Sequence, residues 1–180
     1  MKEIHITLGV TGGIAAYKAA DLCSKLVQAG FSVQTVMTAN AAEFVTPLTF
    51  QTLSRQRVIT SLWKEFDWKP EHVAAAEKTD LFTVVPCTAN FLGKYAHGIA
   101  DDALSTFAVA MRCPVLLAPA MNPGMWSSPA VQDNVRILKA RGVHFAGPES
   151  GHVACGKEGA GRLASVETIL EVIRNLTGVC

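Results

Sequence analysis

The run Val115-Leu116-Leu117-Ala118-Pro119-Ala120-Met121-Asn122-Pro123-Gly124-Met125-Trp126 decides how this chain folds. Its first four residues are apolar, partly β-branched and stopped by a proline, which reads as a buried strand. Two methionines, a tryptophan and a single amide, Asn122, then share a Pro/Gly-rich loop. Open α/β sheets place ligands in loops at the carboxyl ends of their parallel strands. On local chemistry alone, Met121, Met125 and Trp126 either cap the core or line a site, and the neighbouring stretches decide between the two.

To the N-terminal side, Ile4 to Val10 reads as the first strand. Thr11-Gly12-Gly13 and an alanine-rich helix from about Ile14 to Ala29 follow, closed by Gly30. Ser32 to Met37 is a second strand, Thr38 to Phe44 opens a helical turn, and Leu48 to Leu53 reads as helix after Pro47. Residues 55 to 71 read as loop with a short strand at Val58-Ile59; Trp63 and Trp68 suit a lid or an interface better than a core. Val73 to Glu77 is expected as a brief helix, Leu81 to Val85 as a strand, and Ala89 to Ala96 and Ala103 to Arg112 as helices. Beyond the central run, Pro129 starts a helix that reaches Arg141 with Gly142 behind it. Val143 to Ala146 is expected as the last strand, Gly147 to Gly161 as a flexible glycine-rich segment, and Ser165 as the cap of a final helix with Glu167 in its first turn. Near-continuous apolar strands alternating with helices indicate a parallel sheet covered on both faces. The expected fold is one doubly wound, Rossmann- or flavodoxin-like α/β domain over residues 1–180.

Composition narrows the function. A chain of 180 residues buries a core without staples. A net charge of +1, with 17% charged residues and no basic run, points away from nucleic acid and membrane surfaces. The start has no secretory apolar region, and no apolar run approaches a membrane span. Five scattered cysteines without a CxxC pattern suit free thiols in a reducing cytoplasm. His152 and Cys155 offer two metal ligands with no second pair nearby, so no metal site is expected. An apolar content of 49% fits a doubly buried sheet or an oligomer.

The first strand–turn–helix carries Gly9-Val10-Thr11-Gly12-Gly13-Ile14 rather than G-x-G-x-x-G. Gly12 and Gly13 allow a phosphate close to the backbone, at a helix N-terminus whose N–H groups and dipole favour an anion. A dinucleotide site would also need an acid about 20 residues on for the ribose hydroxyls. The second strand ends instead at Thr38, and no Asp or Glu occurs between Asp21 and Glu43. A mononucleotide such as FMN is therefore favoured over NAD, with a tight turn that binds nothing as the alternative.

Five stretches together resemble one family: Gly9 to Lys18, His72, Pro86-Cys87-Thr88-Ala89-Asn90-Phe91-Leu92-Gly93-Lys94, Pro119 to Trp126, and Ala154-Cys155-Gly156-Lys157-Glu158-Gly159-Ala160-Gly161-Arg162. The chain is similar, over nearly its whole length, to the homo-oligomeric flavin-containing cysteine decarboxylases, and most to the branch that serves coenzyme A biosynthesis. That resemblance implies an FMN-dependent decarboxylation of 4′-phospho-N-pantothenoylcysteine to 4′-phosphopantetheine through thioaldehyde and ene-thiol intermediates. It implies His72 as an active-site base or charge stabiliser and Cys155 as the acid of the second half-reaction, on a glycine-rich flap. Asn122 is implied as the amide that holds the substrate carboxylate, with Met125, Ala154 and Gly159 in the same substrate site. Gly12, Gly13, Ile14, Thr38, Thr88, Ala89, Asn90 and Ala120 are implied as FMN contacts. Without the resemblance, His72 is a solvated histidine, Asn122 an Asn-Pro turn residue and Cys155 an incidental thiol.

One departure is Phe91, where the family's loop carries threonine and a hydroxyl contact. Cys23 and Cys113 read as core, Cys87 has no assigned role, and Lys157 and Arg162 are candidates for the substrate phosphate. The resemblance also implies a trimer or dodecamer with the flavin at a subunit boundary. Because the chain ends at Cys180, a separate protein is expected to ligate cysteine to phosphopantothenate. Rival readings are an oxidative decarboxylase of peptidyl cysteine, a flavin prenyltransferase, a non-enzymatic phosphatase-regulating subunit and a simple electron carrier. The Met-Asn-Met-Trp run, Cys155 and the lack of an acidic run argue against them.

Overall fold

The described chain is built on one five-stranded parallel sheet. The computed structural model describes residues 3–63, 77–152, 156 and 158–179. In chain order the elements are β1 (His5–Val10), α1 (Ala16–Gln28), β2 (Ser32–Met37), α2 (Ala39–Ala42), α3 (Pro47–Ser54) and β3 (Leu81–Cys87). Then come α4 (Ala89–His97), α5 (Ala103–Ala110), β4 (Val115–Pro119), α6 (Pro123–Trp126), α7 (Pro129–Ala140), β5 (His144–Phe145), β6 (Glu149–His152), β7 (Glu158–Arg162) and α8 (Val166–Thr177).

The parallel sheet runs β2-β1-β3-β4-β5. Successive residues of a strand face opposite sides, so an unbroken apolar run feeds two cores. In β3, Leu81 and Val85 join one core and Phe82 and Val84 the other; in β4, Leu116 and Ala118 separate from Val115 and Leu117 in the same way. The first core lies under α1, α3 and α8, where Leu22, Leu26, Phe50, Ile169 and Ile173 are fully buried. The second lies under α4, α5 and α7 and holds Phe91, Leu104, Phe107 and Leu138. In α8 the buried residues Val166, Ile169 and Ile173 recur at helical spacing, and the Ser165 hydroxyl accepts from the Thr168 N–H at 3.0 Å. Each such buried aliphatic side chain contributes about 1.5–3 kcal/mol.

The doubly wound expectation is met, with three local differences. The segment Gly147 to Gly161, expected to be flexible, contains β6 and β7, an antiparallel pair with Ser150 opposite Ala160 and Gly151 opposite Gly159. Val143–Ala146 is accordingly not the last strand. A strand built on glycine shows no alternation of side chains, so periodicity does not reveal it. Pro123 to Trp126 forms the short helix α6 rather than loop. Cys113, expected in the core, is half-buried at its edge. The short strand at Val58-Ile59 is a parallel bridge of Ile59 to Val36 on the outer edge of β2. Trp63 is exposed; Trp68, and the helix expected over Val73 to Glu77 apart from Glu77, lie outside the described residues.

Candidate active site

With β1 flanked by β2 on one side and β3 on the other, the chain leaves the sheet in opposite directions after β1 and β3. The loops diverge and leave a crevice at the carboxyl edge. Thr11, fully buried, holds the two loops in register. Its hydroxyl donates to the Pro86 carbonyl at 2.7 Å and accepts from the Thr88 N–H at 3.1 Å. Sequence reading passed over Thr11, because its partners lie more than seventy residues away and nothing local marks them.

A cavity of about 520 Å³ opens in this crevice. One wall is the β1–α1 turn (Gly12, Gly13, Ile14) with Tyr17 and Lys18 of α1, and Thr88 and Ala89 form its floor. The opposite wall is Ala120, Met121, Asn122 and Met125, completed by Gly161, Arg162 and Leu163 from the hairpin. Among the described residues, Lys18 and Arg162 are the only charged residues on the lining, and both are cationic.

The two glycines of the turn have different reasons. A Cβ at Gly12 would lie 2.4 Å from Asn40 Cβ and 2.7 Å from its carbonyl carbon, so packing against α2 alone requires glycine there. A Cβ at Gly13 would meet only Thr88 Cγ2 at 3.9 Å, an ordinary contact. The fold therefore leaves Gly13 free to carry a side chain, and its bare backbone faces the cavity instead. This is the cradle that a phosphate-bearing ligand requires. A Gly13→Ala variant is expected to keep its melting temperature within about 3 °C while retaining the cavity's ligand about tenfold less well. Thermal unfolding and ligand titration on the same preparation check both halves.

The hairpin reaches the site through close backbone docking. Gly161 accepts from the Met121 N–H at 2.9 Å, and a Cβ at Gly161 would fall 2.3 Å from the Met121 carbonyl oxygen. A Cβ at Gly159 would lie 3.0 Å from Pro123 Cβ. Gly151, Gly159 and Gly161 have φ of +152°, +154° and +142°, a region open to glycine and strained for other residues. Glycine composition thus marks tight docking here rather than slack chain.

Asn122 caps α6: its Oδ1 accepts from the Gly124 N–H at 2.8 Å. That bond settles the orientation of the amide and makes its other end a donor. Of the remaining expected contacts, Thr38 caps α2, accepting from the Ala41 N–H at 3.2 Å, and Asn90 is exposed on α4; neither lines this cavity. Gly159 packs closely against Pro123 and is not among the residues lining this cavity. Phe91 is buried in the second core and stacks on Tyr95 with ring centroids 6.0 Å apart. The departure from the family's threonine is therefore a core substitution, away from the lining. His72, Ala154, Cys155 and Lys157 lie outside the described residues.

The described thiols are poor proton donors. Burial pushes Cys23 up to about 11 against the opposing Thr35 hydroxyl, and raises Cys87 and Cys113 as well. Among the described residues, no group of three His, Cys, Asp or Glu could hold a metal ion, and no helix is long and apolar enough to cross a membrane.

Comparison with known proteins converges on one group. The family model described as Flavoprotein matches residues 1–178. The chain is 48% identical over 169 residues to the coenzyme A biosynthesis bifunctional protein CoaBC of Bacillus subtilis, covering 93% of this chain and 42% of that protein. It thus spans less than half the length of that relative. A probable phosphopantothenoylcysteine decarboxylase of Streptococcus mutans is 42% identical over 171 residues, covering 93% of this chain and 96% of that one. Among solved structures, a cysteine-to-serine mutant of PPC decarboxylase complexed with pantothenoylaminoethenethiol superposes with a TM-score of 0.85 at 26% identity, covering 97% and 98% of the two chains. The FMN-dependent cysteine decarboxylase SpaF superposes equally, at 0.85 and 30% identity, covering 98% of each.

Proposed function

This chain belongs to the flavoprotein family, and from that premise we propose that it is an FMN-dependent carboxy-lyase converting 4′-phospho-N-pantothenoylcysteine to 4′-phosphopantetheine and CO₂. The observation that carries the reading is one shared cavity, lined both by the bare Gly12-Gly13 turn and by Asn122, Met125 and the hairpin. A flavin fits the first wall: Gly13 exposes backbone that the fold does not require to be bare, no carboxylate lines the cavity among the described residues, and its apolar lining suits a ring system. Gly12, Gly13, Ile14, Thr88, Ala89 and Ala120 would hold it.

Bound FMN supplies a two-electron oxidation of the cysteine side chain and its later reversal. The chain's own residues orient the substrate and move protons. His72 accepts the thiol proton, which readies the sulfur for conversion to C=S. Asn122 orients the carboxylate through a neutral donor, which fixes it without stabilising its charge against loss of CO₂. When the carboxyl carbon leaves, its bonding electrons settle on sulfur as an ene-thiolate. Cys155, between β6 and β7 in the chain, then delivers a proton to the carbon that lost CO₂.

The same reading includes a homo-oligomer, a trimer or dodecamer, acting in the cytoplasm. Support for a shared site comes from Ile14, Tyr17 and Met125, which line the cavity yet are 58%, 59% and 49% exposed. Apolar side chains left this open suit cover by a second subunit. Purified protein is expected to be yellow and to form phosphopantetheine from phosphopantothenoylcysteine. Colourless protein with no turnover after FMN addition would end the proposal, and peptide products detected by mass spectrometry would move it to the peptidyl-cysteine branch.

A further inference from the structure

We infer that Arg162 reads a phosphate monoester at the far end of the substrate, and so selects a phosphorylated small acid over its unphosphorylated counterpart. The inference rests on the decarboxylase reading above and names a specificity residue for it.

The two cationic residues that line the cavity among the described residues stand on different walls. Lys18 belongs to α1, beside the glycine turn, while Arg162 sits on β7 next to Gly161, which is hydrogen-bonded to Met121 in the Asn122 loop. A flavin and a phosphorylated substrate bring two separate phosphates. The N-terminal turn of α1 with Lys18 would serve the first, which among the described residues leaves Arg162 for the second. The carboxylate that departs as CO₂ is a poor partner for Arg162, because a cation there would stabilise the charge that must be lost. A phosphate keeps its charge throughout.

The guanidinium is also set in place before any ligand arrives. Its Nη2 donates to Glu149 Oε2 at 2.8 Å, and the other Glu149 oxygen accepts from the Ser165 N–H at 3.1 Å, tying the pair to the cap of α8. A Cβ at Gly151 would fall 3.1 Å from Nη1, 3.2 Å from Cζ and 3.4 Å from Nε. The planar group therefore lies over the bare backbone of β6, where any side chain would crowd it. Arginine carries five N–H donors in a rigid fork that matches phosphate, and a fork already oriented loses less freedom on binding.

The test compares 4′-phosphopantothenoylcysteine with pantothenoylcysteine on the flavin-loaded protein. Arg162→Gln is expected to raise KM for the phosphorylated substrate by about 10- to 100-fold, with kcat and the kinetics of the unphosphorylated substrate within about threefold of wild type. Arg162→Lys, which keeps the charge and the stem, should recover part of the preference. Equal losses on both substrates, no loss on either, or an Arg162→Lys variant as indifferent to phosphate as Arg162→Gln would each overturn the assignment. A wild-type protein that turns over neither substrate would overturn the decarboxylase reading with it, whereas normal wild-type turnover with an unselective Arg162 would remove this inference alone. The flavin absorbance spectrum of each variant verifies that its site is assembled.

Discussion

Replacing Cys155 with serine is expected to lower phosphopantetheine formation by about 10³-fold, within the range for removing a positioned general acid, while leaving CO₂ release intact for a single turnover. The product should be an ene-thiol two hydrogen atoms short of phosphopantetheine, with the flavin left reduced. The reason is the order of events: the carbon–carbon bond breaks before any proton returns to carbon, and a hydroxyl is a much weaker acid than a thiol near its usual value. None of the described thiols can substitute. Burial raises Cys23, Cys87 and Cys113, with Cys23 at about 11. Anaerobic mixing with substrate, followed by mass spectrometry and flavin absorbance, reads both outcomes at once. Normal phosphopantetheine from the serine variant would remove Cys155 from the proton path. The related PPC decarboxylase structure carries a cysteine-to-serine mutation and a bound pantothenoylaminoethenethiol, which is the class of product expected here.

The second large effect is expected at Asn122, and aspartate separates its two roles. As the cap of α6, the side chain supplies an acceptor for the Gly124 N–H. Aspartate supplies that acceptor as well as asparagine does, so the melting temperature should move by less than about 3 °C. As the partner of the substrate carboxylate, the side chain needs a donor, and aspartate offers a negative oxygen in its place. Loss of the hydrogen bond and repulsion between two carboxylates a few ångströms apart each cost on the order of 2–4 kcal/mol in a partly shielded site. Together they predict a fall in kcat/KM of about 10³-fold or more. Steady-state kinetics alongside thermal unfolding check the pair. An aspartate variant that is stable and fully active would show that Asn122 is a turn residue and nothing else. Alanine is the less informative change, since it removes the cap, worth about 1 kcal/mol, together with the donor.

The chain's local order was legible because local physics decides it. Ser32 to Met37 is a strand in the reading and in the structure, since it has a strand's length and the β-branched residues Val33, Thr35 and Val36. Gly30, at φ +88°, closes α1, and Ser165 caps α8 through its hydroxyl, both residue choices that depend only on immediate neighbours. The alternation of elements specified a doubly wound sheet, and a doubly wound sheet fixes where a ligand can bind. Gly12, Gly13, Thr88, Ala120 and Asn122 fall on one cavity for that reason, contributed by loops that all leave the same edge.

What only the tertiary structure decided are the features defined by a partner far along the chain. Thr11 bridges Pro86 and Thr88; the glycines of β6 and β7 dock on Met121 and Pro123; Arg162 is aligned by Glu149 and by the empty space over Gly151. Thr38, placed with the flavin contacts by resemblance, caps α2 in the fold, and Phe91 fills the second core. A glycine carries no side-chain pattern, and a polar group's partner is set by three-dimensional proximity. Sequence by itself therefore determined which edge of the sheet holds the site, and folding decided which side chains face it.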